Sequence, residues 1–130
     1  MTEKTSSQVS LHDCVATDLI VERGTMSFFF PEGIWIDRKR AAPARVIYAV
    51  TGDPVIYIFE EDSGYTVREQ ITAKKLSGKL GKGKWKLEFG YRYDNAYEAV
   101  ITGWIWKKKP RRAVELMMFL PLSDTYYQTK

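Results

Sequence analysis

His12-Asp13-Cys14 places an imidazole, a carboxylate and a thiol on three consecutive residues. These are the residue types of an activated nucleophile and its base. In an extended segment His12 and Cys14 project to the same face, so contact between them is sterically open. The chemistry also needs a depressed thiol pKa, an orienting group and an oxyanion site, and no sequence pattern supplies them. With one histidine and one cysteine in 130 residues, a His-rich metal site and an intrachain disulfide are both excluded. No CxxC or HxxxH completes a zinc site around the triplet. The expectation is that His12 enters a strand and Cys14 is a small core residue, with no catalytic residue, metal or cofactor. Glu60, Glu61 and Asp62 read as a solvated turn. Gly78, Gly81 and Gly83 lie among lysines, but without the strand–loop–helix context of a phosphate-binding loop.

The second chemistry-bearing pattern is charge interleaved with indole. The net charge is +4, and it is unevenly spread. Residues 1–70 carry seven basic and eleven acidic side chains, a balance of −4, and residues 71–130 carry thirteen and five, a balance of +8. Lys74, Lys75, Lys79, Lys82, Lys84 and Lys86 follow one another without an intervening acid, and Lys107, Lys108, Lys109, Arg111 and Arg112 surround Pro110. Such clusters repel themselves, so they are either an interaction surface or solvated decoration. Cations beside flat rings are what a single-strand nucleic-acid binder uses for phosphates and bases. Trp104 and Trp106 provide the rings. The competing reading is that both are covered by another sheet or by residues 74–83, since large aromatics are mostly buried.

These groups must be held by strands. Period-two alternation and β-branched or aromatic runs, bounded by Gly, Pro, Asn and Asp, recur at residues 15–21, 26–30, 34–36, 45–50, 55–59, 65–71, 84–93, 97–107 and 113–122. No segment carries a sustained 3.6-residue apolar stripe, and residues 74–83 read as a flexible loop. The first eight residues are polar and unpatterned and read as a loose tail. The expected fold is one all-β domain over residues 9–130, an antiparallel sandwich or barrel of eight or nine strands. Phe28, Phe29, Phe30, Trp35, Tyr57, Phe59 and Phe119 are expected in its core.

In the hairpin of residues 84–107, Trp85, Leu87, Phe89, Tyr91 and Tyr93 share one face. Setting Tyr93 against Tyr97 superposes the apolar faces and places Arg92 across from Glu98, Lys86 from Trp104 and Lys84 from Trp106. The open end of that hairpin then gathers both basic runs beside the two indoles. Lys82, Lys84, Lys86, Trp104, Trp106, Lys107, Lys108, Lys109, Arg111 and Arg112 form the expected partner-binding set.

The stretch LHDCVATDLIVERGTMSFFFPEG, residues 11–33, resembles the opening of small bacterial β proteins that include immunity-protein-like families. His12 and Asp13 are its distinctive pair. The resemblance covers about a quarter of the chain, implies a stand-alone bacterial protein without a known reaction, and carries over no functional residue.

No run approaches the roughly 20 apolar residues of a membrane helix, and the first ten residues hold no signal-peptide apolar region. A cytoplasmic protein that binds no membrane is expected. The functional expectation is a non-catalytic interaction protein holding an acidic protein partner by its cationic, Trp-bearing end. Single-stranded nucleic acid on the same surface is the alternative, and a small apolar ligand in the β interior a further one. Pairing of the acidic half of one copy with the basic half of another would give a homodimer.

Overall fold

The computed structural model describes residues 2–6, 8–95 and 97–129. Met1 and Ser7 of the expected tail, and Ala96 of the expected 94–96 turn, lie outside them. Within the described residues the elements are β1 (Thr2–Lys4), β2 (Val9–Ser10), β3 (Val15–Ala16), β4 (Asp18–Glu22), β5 (Thr25–Phe30), β6 (Ile34–Ile36), β7 (Lys39–Ala41), β8 (Ala44–Val50), β9 (Val55–Asp62), β10 (Tyr65–Ile71), α1 (Ala73–Gly81), β11 (Trp85–Asp94), β12 (Glu98–Lys108) and β13 (Arg111–Thr129). The fold is all-β, and its strand pairs are antiparallel. The strand count exceeds expectation because the first long strand is divided at Thr17 and the short β1, β2 and β7 are added.

β13 organises the molecule. Over its first half it pairs with β12 on one edge and β9 on the other, and over its second half with β8 and β1. The main path runs β3-β11-β12-β13-β8-β5-β4. β3 and β4 are separated only by Thr17, whose N–H donates to Phe29 O at 3.0 Å. The two ends of the path are thus consecutive in the chain, and alternate residues of β5, β8, β9, β12 and β13 are buried. Phe28, Phe30, Tyr48 and Phe89 fill the interior, with ring centroids 5.1 Å apart for Phe28–Phe89, 5.2 Å for Phe30–Phe89 and 5.9 Å for Phe28–Tyr48. These tilted and edge-on contacts suit the ring quadrupoles. Four of the expected core aromatics, Phe29, Tyr57, Phe59 and Phe119, are only half-buried and lie elsewhere, while Trp35, also half-buried, packs against the core. In β5, β9 and β13 strict alternation turns every second ring outward.

A helix replaces the loop expected over residues 74–83. Thr72 caps it, its Oγ1 accepting from Lys75 N at 3.0 Å. Leu76 and Leu80, one turn apart, are buried and pack it against β4 and β11. Ser77 Oγ donates to Leu19 O at 2.6 Å on the open edge of β4. Two leucines among Gly and Lys make too narrow a stripe to stand out in the sequence, and burial in the tertiary structure offsets the weak helix propensity. Part of the expected tail is also ordered. Thr2–Lys4 pairs along the end of β13, and Lys4 Nζ lies 2.9 Å from Asp124 Oδ1.

The β11–β12 hairpin keeps its expected partners but not its register. Lys86 opposes Trp106 rather than Trp104, and Glu88 opposes Trp104. The turn is displaced by one residue, β11 ending at Asp94 and β12 beginning at Glu98, and Asn95 Oδ1 accepts from both Tyr97 N and Glu98 N at 2.8 Å. A bulge then follows between Phe89 and Arg92. It is held by Thr102 Oγ1, which accepts from Tyr91 N at 3.0 Å. Gly90 permits it, since a Cβ there would sit only 3.0 Å from Thr102 Oγ1. Beyond the bulge the faces exchange. Tyr91 and Tyr93, expected with Phe89, are 60% exposed, and Arg92 instead opposes the buried Ile101.

Candidate binding surface

β11, β12 and the turn into β13 position the residues of the cationic, Trp-bearing end. Trp104 and Trp106 stand on the outer face of β12, 44% and 41% exposed, while their neighbours Gly103 and Ile105 face the interior. Gly103 must be glycine, because a Cβ there would lie 2.5 Å from Glu88 O. Lys86 is directly across from Trp106. Lys82, Lys84, Lys108, Lys109 and Arg111 are exposed at the same end. A Cβ built on Gly83 would lie 4.0 Å from Lys108 Nζ, so the two basic runs do converge.

Two members of the expected set are engaged within the chain. Lys107 and Arg112 lie on the inner-facing rows of β12 and β13, with Ile105 and Val114. There both meet Glu60, Lys107 Nζ on Oε1 and Arg112 Nη2 on Oε2 at 2.8 Å. Lys107 Nζ also lies 5.2 Å from the Trp85 ring, with Lys79 Nζ at 5.5 Å from the same ring. The hydrogen bond from Lys107 holds the Glu60 carboxyl below its ordinary pKa, burial opposes the shift, and Arg112 and Lys75 add to it. Glu60 is thus an internal counter-ion and not part of a free acidic turn.

Carboxylates also bracket the indoles. Trp104 lies between Glu88 and Glu115 in register, and Trp106 Nε1 donates to Glu88 Oε1 at 3.1 Å. A groove of about 300 Å³ beside Trp104 is lined by Phe59, Glu60, Glu61, Arg112 and Glu115 among others. Along the same outer face Tyr57, Phe59, Met117 and Phe119 continue the apolar surface across β9 and β13. Arg68 of β10 lies 4.7 Å over the Tyr57 ring.

The His12-Asp13-Cys14 triplet does not form the expected shared face. Asp13 takes φ 62°, which breaks the extended geometry and sends its neighbours apart. His12 Nδ1 donates to Gly90 O at 3.2 Å, and its ring lies 4.7 Å from that of Tyr91. Cys14 is buried, with Arg40 Nη1 3.1 Å from its sulfur. Burial pushes the Cys14 thiol up, and the Arg40 charge opposes the shift. Among the described residues no group of three or more His, Cys, Asp or Glu could hold a metal ion, and no helix is long and apolar enough to cross a membrane.

At the far end of β11 the structure gathers residues that the sequence did not single out. A cavity of about 740 Å³ opens there, with Val46, Phe89, Ile101 and Leu122 among its apolar lining and Tyr48, Arg92 and Thr125 among its polar groups. Arg92 enters this site only through the bulge. A glycine inside an alternating strand was the one local signal for it.

Comparison with protein-family models, curated proteins and solved structures returns no match for this chain.

Proposed function

We propose that the protein is a non-catalytic interaction protein that holds an acidic protein partner on the outer face of β12 and the cationic end beside it. The observation that carries this reading is the pair of exposed indoles, Trp104 and Trp106, on a strand whose other face is core. Exposed aromatic patches rimmed by charge are characteristic of protein-binding surfaces. Tyr57, Phe59, Met117 and Phe119 extend the apolar contact, and Lys82, Lys84, Lys86, Lys108, Lys109 and Arg111 attract and orient an acidic partner. Glu88 and Glu115 on either side of Trp104 favour a protein over a nucleic acid. A phosphodiester strand stacked on that ring would run against both carboxylates, whereas a protein can meet them with its own donors.

The test is a tryptophan-fluorescence titration of the full chain with poly-L-glutamate and, separately, with oligothymidylate at several salt concentrations. Saturable binding of poly-L-glutamate that weakens with salt and drops at least tenfold in Lys108→Glu/Lys109→Glu is the expected result. Quenching by oligothymidylate at higher affinity, falling linearly in log–log salt, would transfer the surface to nucleic acid. Binding of neither at low salt would leave the cations as solvated decoration and end this reading.

A further inference from the structure

Among the described strands that are bonded on one side only, β10 is the longest. It pairs with β9 alone, and Tyr65 to Gln70 are exposed on both faces. The next longest, β4, has its open edge met by α1, where Ser77 Oγ donates to Leu19 O, and β1, β2, β3 and β7 are two or three residues long. β10 has no such cover. It contains no proline, and its register against β9 runs without a bulge. An edge of this kind is a template for another strand. Ser63 and Gly64, at φ 52° and 85°, make the two-residue turn whose flanking residues, Asp62 and Tyr65, exchange hydrogen bonds. Counting on from Tyr65, the odd-numbered residues of β10 bond to β9. The N–H and C=O groups of Thr66, Arg68 and Gln70 therefore point to the open edge.

These outward groups restrict what can pair there. In a two-fold pairing of β10 with a second copy, outward residues must face outward residues. Three such antiparallel registers overlap five residues or more of the strand. Centring on Arg68 opposes two guanidiniums, and centring on Glu69 opposes two carboxylates. Like charges directly across a strand pair are destabilising. Centring on Val67 opposes none: Thr66 faces Arg68 of the other copy, Tyr65 faces Glu69, and the two valines meet on the axis. The exposed acidic tip of each copy, Glu61 and Asp62, then reaches the end of the other copy's β10, where Lys74 and Lys75 open α1. We propose that the protein self-associates as a two-fold dimer by antiparallel pairing of β10 with β10, with Val67 on the axis. Trp104, Glu115, Phe59 and Arg68 stand in register across β12, β13, β9 and β10, so the continuous sheet carries both Trp104 faces on one side of the dimer. The pairing does not depend on what that face binds, and each reading can fail without the other.

The experiment is sedimentation velocity of the full chain at increasing concentration. One strand-to-strand contact is smaller than a standard interface, so a monomer–dimer equilibrium is expected between about 10 μM and 1 mM. Val67 is exposed, and Val67→Lys sets two ammonium groups on the axis without touching the backbone. It should weaken dimerisation at least about tenfold, with the circular dichroism of the wild type. Cysteine crosslinking under oxidised glutathione reads the register. Val67→Cys should form a disulfide dimer, because residues across a non-hydrogen-bonded pair have close Cβ atoms. Tyr65→Cys, on the same face but two residues off the axis, and the wild type, whose Cys14 is buried, should not. A chain monomeric up to about 1 mM, a dimer that Val67→Lys leaves intact, or Tyr65→Cys crosslinking as readily as Val67→Cys would each overturn the proposal.

Discussion

The two ends of β11 solve the same problem in opposite ways. At its start, Trp85 sits under Lys107 and Lys79, α1 closes over β4 and β11 with Leu76 and Leu80, and Glu60 takes both Lys107 and Arg112. Both inner-facing cations there have a partner from the chain. At its far end no helix intervenes, and a cavity opens among Tyr48, Phe89, Arg92 and Thr125. The lesson concerns where binding capacity survives. The largest charge concentration in the sequence is partly consumed by an internal counter-ion, while the cavity lies away from it.

The largest expected effect lies at the closed end. Leu76→Ala removes a fully buried side chain from the helix that seals it and should destabilise the protein by about 2–5 kcal/mol, measured by urea denaturation. A loss under about 1 kcal/mol would mean that α1 is not what closes this end. Next comes the counter-ion. Glu60→Gln leaves Lys107, 14% exposed, without its carboxylate, and should cost about 1–2 kcal/mol at neutral pH.

The same pair has a pH signature with a definite sign. The folded pKa of Glu60 is depressed below 4.5, so its contribution is present above the unfolded value and is lost as pH falls from about 4.5 through the folded pKa. Asp124, depressed by its hydrogen bond to Lys4, titrates in the same direction. Both proteins lose that term, so the difference between wild type and Glu60→Gln isolates Glu60. Thermal melting from pH 7 to pH 3 should show the gap closing on acidification, and a gap that stays constant would break the counter-ion account.

Charge reversal at Lys108 and Lys109, both exposed and without an ion-pair partner among the described residues, should alter stability by no more than about 0.5 kcal/mol. A larger effect would reassign them to the fold. The other small effect belongs to the open end. Tyr48→Phe deletes one hydroxyl beside the cavity at that end, and its stability should stay within about 1 kcal/mol of wild type. A marked destabilisation would reveal a partner for that hydroxyl within the protein.

Much of the fold was legible in local patterns. Alternation and turn residues placed β5, β6, β8, β9, β10, β11 and β12 close to their observed positions but only the first half of β13, which was expected to end at Leu122 and runs on to Thr129, and the convergence of the two basic runs followed from antiparallel pairing alone. α1 was hidden because two leucines in a nine-residue segment do not make a periodic signal. The register of β11 against β12 was misjudged by matching aromatic to aromatic. The Asn95 side chain and the bulge at Gly90 decide it, and neither is weighed by counting apolar pairs.

What the residues determined directly is what depends on neighbours in the chain: an all-β fold, an antiparallel hairpin rich in lysine and tryptophan, and a lone cysteine and histidine too sparse for a metal site. What only the tertiary structure decided depends on residues far apart. Glu60 reaches Lys107 across 47 positions, Arg92 reaches Thr125 across 33, and Tyr48 comes to line the same cavity as Arg92 only because β8 and β11 face one interior. Alternation sets which face a side chain takes, but pairing register and closure of the sheet set what it meets there. For that reason the charge was readable in the sequence, and which of its members remained free was not.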